Sequence, residues 1–362
     1  MARIVLILGA GASAPDGAPT MREFYDRAMS VRRLPDLDRK SQEAFDLVQR
    51  GYKELMSVYA NTSMGYHENF EELYASFEMA EVLGTLGGFE ASEIGNLPGA
   101  IRRVICDTIE LSLEFPQGQG QIQAPKTYSA FAQPLAEGFK HKGTLPSLAV
   151  LTFNYDIGLD FALEMNGLPV NYCLHDAPSN EGIPLLKLHG SLNWSRCPEP
   201  DCGKILTLGY KSWAAVHKRQ SLPSNMPSSR VRVSRDLTSI DHIHPQSADP
   251  FLVPPTWNKT SYHQQIAGVW RRASAELSEA EHIFIVGFSL SPTDQFFRHL
   301  FALSMAQSDA VQAIEVVNND GDAFKRVGDM LGERLRGRLT KSPVLPFESR
   351  AESLARYIAE MI

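Results

Sequence analysis

The strongest constraint on this chain is a set of short, almost wholly apolar runs: Arg3 to Leu8, Leu148 to Phe153, Leu185 to Leu188, His282 to Val286 and Ala313 to Val317. Each is too short for a buried helix and too continuous for a strand with one wet face, so each reads as a strand covered on both sides. Segments with apolar residues three and four apart lie between them. Strand and helix in turn imply right-handed crossovers and a largely parallel sheet, an α/β, Rossmann-like fold class. At 362 residues the whole chain, 1–362, is expected to be a single domain.

Two stretches depart from that alternation. Residues 41–115 are helical text, with Phe45, Val48, Tyr52, Phe70, Leu73, Phe77, Ile101, Ile105 and Ile109 at helical spacing, broken between Gly84 and Gly95; they predict a helical insertion. Residues 194–255 are irregular and Pro/Ser-rich around Ser221 to Ser229, a small module outside the main sheet. Phe115 to Pro125 reads as a mobile Pro/Gly/Gln connector. Thr20 and Glu23 have capping-box spacing, which predicts a helix from Met21.

A formal charge of −7 argues against bulk electrostatic binding to nucleic acid, and no direct nucleic-acid contact is expected. No stretch approaches the ~20 apolar residues that span a bilayer. The opening apolar run is short for a secretory leader, and four scattered cysteines do not make a disulfide framework, so a reducing cytoplasm is the expected location.

The strands break off into polar clusters. Gly9-Ala10-Gly11 with Ser13 and Ala14 follows the first, in the relaxed Gly-x-Gly-x-x-Ala pattern that lets a backbone approach a pyrophosphate. The same glycines also suit a tight turn that binds nothing. No acidic strand end ~20 residues later accompanies them, which counts against hydride transfer. Asn154 and Asp156 follow the second strand, and His189 and Ser191 the third. Taken singly, Asn154 suits a turn, Asp156 a helix N-cap and His189 a buried core position. Ser191, two residues from His189, allows a Ser-His pair, but the chain carries no Gly-x-Ser-x-Gly elbow.

Together these motifs resemble the sirtuin-like, NAD-consuming family, in that family's order. Gly9-Ala10-Gly11-Ala12-Ser13 with Gly17-Ala18-Pro19 is similar to its Gly-Ala-Gly-x-Ser loop and Gly-Ile-Pro. Thr152-x-Asn154-x-Asp156 is similar to Thr-Gln-Asn-Ile-Asp, Leu188-His189-Gly190 to its His-Gly, and Val253-Pro254 before Trp257 to its Val-x-Phe-Phe-Gly. Gly287-Phe288-Ser289 and Val317-Asn318 are similar to its late Gly-Thr-Ser and Ile-Asn elements. The resemblance spans most of the chain apart from the helical insertion.

The resemblance implies a sirtuin-like domain with NAD as substrate. Asn154 and His189 are then the catalytic pair, with Asn154 holding the nicotinamide ribose or the water and His189 as general base, since an unperturbed imidazole is largely neutral at cellular pH. It further implies that Asp156 holds the carboxamide, that Gly9, Ala10, Gly11, Ser13, Gly287 and Ser289 surround the pyrophosphate, and that Asn318 meets the adenosine ribose. Two departures separate this chain from the family's deacylases. Pro19 is followed by Thr20-Met21-Arg22 in place of Asp-Phe-Arg, so the shielding aromatic is missing. Of two Cys-x-x-Cys zinc pairs, only Cys197 and Cys202 stand in the corresponding place, with Cys106 and Cys173 elsewhere. Even with His242 and His244, that spacing fits no standard zinc module, and no metal is expected. These departures resemble the bacterial antiphage-defence branch, whose members hydrolyse NAD. The expected activity is therefore an NAD glycohydrolase, with a protein deacylase or a non-catalytic NAD-binding module as alternatives. An unrestrained NAD hydrolase would poison its own cell, so control is expected by homo-oligomerisation or, by analogy with the family, by a HerA-type ATPase or Argonaute-like partner, with the helical insertion as the oligomer contact or else a monomeric lid. Trp194 and Trp257 offer rings for stacking, or buried core aromatics.

Overall fold

Along the first strand, β1 (Ile4–Leu8), every residue is buried and successive side chains enter different cores. Ile4, Leu6 and Leu8 join one, Val5 and Ile7 the other, as the two-residue period of a strand requires. This is why the run is apolar without alternation. The computed structural model describes residues 3–58, 70–118, 121–142, 147–174, 182–197, 199, 201–207, 228–229, 250–253, 266–291, 294–306, 308–340 and 342–361.

The further strands are β2 (Phe115–Gly118), β3 (Gln121–Ile122), β4 (Leu148–Thr152), β5 (Val170–Asn171), β6 (Ile183–Lys187), β7 (Gly190–Arg196), β8 (Ile205–Thr207), β9 (Ser228–Ser229), β10 (Pro250–Leu252), β11 (His282–Val286), β12 (Ala313–Val317) and β13 (Leu339–Thr340). Seven of them form one sheet in the order β13-β12-β11-β1-β4-β6-β5, with every neighbouring pair parallel. The expected α/β fold with a parallel sheet is what the chain adopts.

Helices cover both faces. On one lie α1 (Phe24–Val31), α2 (Arg39–Val58), α3 (Phe70–Leu83), α4 (Ala91–Glu110), α5 (Lys126–Lys142) and α6 (Gly158–Met165). On the other lie α7 (Ala267–Glu279), α8 (Gln295–Met305), α9 (Gly321–Met330) and the short α10 (Glu333–Arg336). The last, α11 (Ala351–Met361), returns to the first face. Phe45, Val48, Phe77, Leu97 and Ile101 of α2 to α4 belong to the same core as Leu6 and Val150 of the sheet.

Local readings shift in detail. The capping box forms, with Glu23 accepting from the Thr20 hydroxyl at 2.9 Å, but its first turn, Met21–Glu23, is 3-10 and α1 starts at Phe24. Within the expected mobile connector, Phe115–Gly118 and Gln121–Ile122 form β2 and β3, which pair antiparallel, and β2 also pairs with β9, with Phe115 and Ile122 buried. Those two apolar side chains anchor what the Gly/Gln composition suggested was loose. In the irregular module, β10, β7 and β8 form a three-stranded antiparallel sheet. Most of residues 208–265, including His242, His244, Pro254 and Trp257, lies outside the described residues.

The register sets the site. Leu8 pairs with Val286 on one side and Thr152 on the other, Thr152 with Lys187, and Val286 with Val317. The chain therefore leaves the sheet at one level at Gly9, Phe153, Leu188, Gly287 and Asn318. The chain runs outward from β1 through β4 and β6, then crosses back to β11 on β1's other side, so the order reverses between β1 and β11. Ligands of open α/β sheets bind in the crevice at such a point.

Candidate functional site

A cleft of about 730 Å³ opens there, within the range of roughly 300–1,000 Å³ usual for small-molecule sites. The residues singled out in the sequence, Gly9, Ala10, Gly11, Ser13, Asn154, Asp156, His189, Gly287, Ser289 and Asn318, all line it. They come from five different strand ends and are brought together by the aligned register.

The glycines have a reason in the fold itself. Gly287 has φ +59°, and a Cβ on it would stand 2.2 Å from the Ala12 nitrogen; a Cβ on Gly9 or Gly11 would strike the Gly287 carbonyl oxygen at 2.7 and 2.8 Å. The two loops thus pack backbone on backbone. The Gly9 and Gly11 amides donate to the Val286 and Gly287 carbonyls, and those of Ala12 and Ser13 close the 3-10 turn onto Gly9 and Ala10. These four donors are committed within the protein.

Ser13 is the hub beneath the loop. Its hydroxyl donates to Asp156 Oδ2 at 2.7 Å, lies 2.7 Å from the Tyr128 hydroxyl and accepts from Asn154 Nδ2 at 3.1 Å. Asn154 Nδ2 also donates to the Gly9 carbonyl at 3.0 Å, and its main-chain amide to Thr152 Oγ1, so the β4 exit is tied to the glycine loop. The N-cap of α6 is Ile157 and not Asp156 as expected; Asp156, one residue earlier, still accepts from the Gly158 amide through Oδ1 at 2.9 Å. Burial pushes the Asp156 carboxyl up from its usual range, against the opposing pull of Lys187 and the Ser13 hydrogen bond.

His189 is nearly buried and sits edge-on to Phe153, with ring centres 5.1 Å apart. Phe153 stacks on Phe288 at 4.9 Å, and Phe297 stands edge-on to both. Across the cleft Phe24 meets Phe70 at 4.8 Å. The cleft thus has apolar aromatic walls although position 21 is Met. Its polar rim includes Arg22 and Arg326, the latter donating to the Ser289 carbonyl at 2.6 Å and paired with Asp320. Asn318 is turned into the fold: its Nδ2 donates to the Phe288 carbonyl at 3.1 Å and its Oδ1 caps the Asp320 amide.

Two residues considered in the sequence fall elsewhere. The Ser191 hydroxyl is fully buried and donates to Asn193 Oδ1 at 2.6 Å, which removes it as a nucleophile paired with His189. Trp194 is wholly buried, edge-on to Tyr172, and is a core aromatic. Cys197 is buried beside Cys202, and among the described residues no His/Cys/Asp/Glu group is arranged to hold a metal. No described helix is long and apolar enough to cross a membrane.

Sequence reading missed Tyr128, Asp16, Phe288's partner Phe297, Arg326, Phe70 and the α4 residues Ile105 and Ile109. Nothing in their local text separates them from ordinary core or surface positions; Asp16 alone carries a signal, as a carboxylate beside the glycine loop. It is buried, accepts from the Thr127 amide at 3.1 and 3.2 Å, and burial raises its carboxyl pKa to about 6. The unfolded value is near ~3.9. With the folded pKa the higher, the folded state binds more protons between those values, so this group favours folding most below pH ~4 and loses that contribution as pH rises through about 6. Asp16→Asn, which still accepts from Thr127, is expected to be more stable than the wild type above pH 6, on the order of 2 kcal/mol, and equal near pH 4. Urea titrations across that range check it; a gap independent of pH contradicts it.

No protein-family model matches the chain, and no curated protein matches it. Solved structures similar to it include two Sir2 homologue mutants in complex with ADP-ribose, each at TM-score 0.38, with 17% and 16% identity, both covering 99% of this chain and 92% of theirs. Sir2 in complex with an inhibitor, 2′-O-acetyl-ADP-ribose and a deacetylated p53 peptide is similar at TM-score 0.33 and 15% identity, covering 99% of this chain and 93% of that one. By its own topology the chain is a doubly wound, parallel α/β protein whose polar strand ends converge on one cleft at the switch point.

Proposed function

We propose that this protein is an NAD glycohydrolase, cleaving the nicotinamide-ribose bond to give nicotinamide and ADP-ribose. The observation that carries the reading is convergence: residues chosen from family-ordered motifs between Gly9 and Asn318 line a single cleft of dinucleotide size. Nicotinamide leaves with the electron pair of its bond to the ribose, water adds at the same carbon, and His189 takes the water's proton. Asn154, an uncharged side chain held by Gly9 and Ser13, orients the ribose without neutralising the positive charge that grows on it. Since the loop amides are committed to the fold and Arg326 is paired with Asp320, Arg22 supplies the positive charge at the rim for the pyrophosphate. The aromatic walls exclude bulk water from the reacting end.

The purified full chain is expected to consume NAD with no acylated peptide present, releasing nicotinamide and ADP-ribose in equal amounts. Nicotinamide release that depends on an acyl-lysine peptide makes it a deacylase instead, and NAD recovered intact makes it a binding module. Depletion of NAD is a defence effector's chemistry, and such an activity needs restraint. We place that restraint in oligomerisation or in a HerA-type or Argonaute-like partner, with the insertion as the contact; Met79, Val82 and Leu83 are exposed on α3 while Phe70 of the same helix lines the cleft. Turnover measured alongside mass in solution tests this, since a fully active monomer contradicts it.

A further inference from the structure

Beneath the cleft runs a buried chain of polar side chains that the reaction does not use. Lys187, at the end of β6, and Asp160, on α6, form an ion pair at 3.0 Å with side chains 1% and 2% exposed. The Lys187 ammonium spends its remaining donor on the main-chain carbonyl of Asp156, at 2.6 Å. Asp160 Oδ1 also accepts from the Tyr172 hydroxyl at 2.6 Å; that oxygen accepts from Asn193 Nδ2 at 2.8 Å, and Asn193 Oδ1 accepts from the Ser191 hydroxyl at 2.6 Å. The Ser191 oxygen lies 3.4 Å from the Tyr155 carbonyl, to which the Leu192 amide donates at 3.0 Å.

The chain of bonds therefore begins on the Asp156 carbonyl and ends at Ser191, whose neighbour Leu192 donates its amide to the adjacent Tyr155 carbonyl, and it passes two residues beyond His189. Donation runs one way, from Ser191 through Asn193 and Tyr172 to the Asp160 carboxylate, with Lys187 donating from the other side. Every member's position is fixed by its neighbours' donor and acceptor directions. A buried ion pair is not needed for stability, since apolar residues of similar volume are often as good or better. What apolar packing lacks is direction, and here direction is imposed on the two loops that carry Asn154 and His189.

Resting on the hydrolase reading of this cleft, we infer that Lys187, Asp160, Tyr172, Asn193 and Ser191 are positioning residues, a polar tie that fixes the Asn154 loop against the His189 loop. None of them touches substrate. Their effect falls on the alignment of the catalytic pair, so it shows in kcat before KM.

The test uses the full chain with Tyr172→Phe, which deletes one oxygen from the middle of the tie, and with the double change Lys187→Met and Asp160→Leu, which removes both charges together. The double variant is expected to keep the wild-type melting temperature or exceed it, while Tyr172→Phe, which leaves the buried Asn193 Nδ2 without its acceptor, is expected to melt lower but stay folded. Each is expected to lower kcat for NAD by about 10- to 10²-fold, the scale of a small misplacement of reacting groups, with KM nearly unchanged. In labelled protein, the Asn154 side-chain amide and His189 imidazole NMR resonances are expected to move in Tyr172→Phe. Unmoved resonances overturn the tie whether or not the wild type consumes NAD, and so does an unchanged kcat in a folded variant. If the wild type leaves NAD intact, the hydrolase reading falls alone, and the resonances still decide the tie.

Discussion

His189→Ala is expected to lower NAD turnover by about 10²-fold or more, and Asn154→Ala by a similar factor, with both proteins folded. His189 makes its ring contacts at the cleft wall, edge-on to Phe153, so truncation leaves the sheet and both cores intact. Asn154 differs, because its amide nitrogen bridges the Gly9 carbonyl and the Ser13 hydroxyl. Asn154→Asp keeps the shape but sets a carboxylate oxygen against the Gly9 carbonyl, replacing a donor by an acceptor. It is therefore expected to lower both stability and turnover, whereas His189→Asn lowers turnover alone. Steady-state rates with nicotinamide and ADP-ribose quantified, read beside thermal melts, separate these outcomes. Full turnover in both alanine variants sinks the assignment of the catalytic pair.

Gly287→Ala is expected to be the most destabilising single methyl in the site, costing about 2–5 kcal/mol from left-handed backbone strain plus overpacking. Its Cβ would fall 2.2 Å from the Ala12 nitrogen and 2.4 Å from the Gly11 carbonyl carbon, both rigid main-chain atoms. Relief requires the β1 and β11 loops to part, which breaks the Gly11 amide bond to the Gly287 carbonyl and displaces Ser13 from Asn154 and Asp156. Gly84 is the control: its φ is +65°, yet nothing lies within 4 Å of an added Cβ, so Gly84→Ala is expected to cost only the backbone share, about 1–2 kcal/mol. Denaturant unfolding of the two variants checks the difference. Equal losses mean that the loop-to-loop packing carries no weight.

Much of the architecture was legible because burial on both faces leaves an unmistakable text: Ile4 to Leu8 or Ile283 to Val286 has nothing polar to alternate with. The ends of those runs were legible for the same reason, since the first glycine, asparagine or histidine marks where the sheet stops covering the chain. The connector at 115–125 misled because its Gly and Gln residues suggest mobility, while Phe115 and Ile122 are buried in one core. Lys187 and Asp160 had a visible signature, opposite charges each set in an apolar segment, but nothing in the text paired them. Tyr128 and Tyr172 had none, because a tyrosine reads alike whether its hydroxyl meets Ser13, Asp160 or water.

The sequence by itself determined the parallel α/β class, the strand ends and the identity of the residues gathered there, because backbone burial and local turn chemistry are written in neighbouring positions. Only the tertiary structure decided what those residues do for one another. The glycine loop proved to be shaped by Gly287 from across the switch point, Ser13 became the hub between Tyr128, Asn154 and Asp156, and Ser191 joined a buried tie in place of a nucleophile's role. The physical reason is that hydrogen-bond direction and steric contact act through space between different segments, 12 residues apart for Tyr172 and Asp160 and 143 for Ser13 and Asp156, where local periodicity holds no record of them.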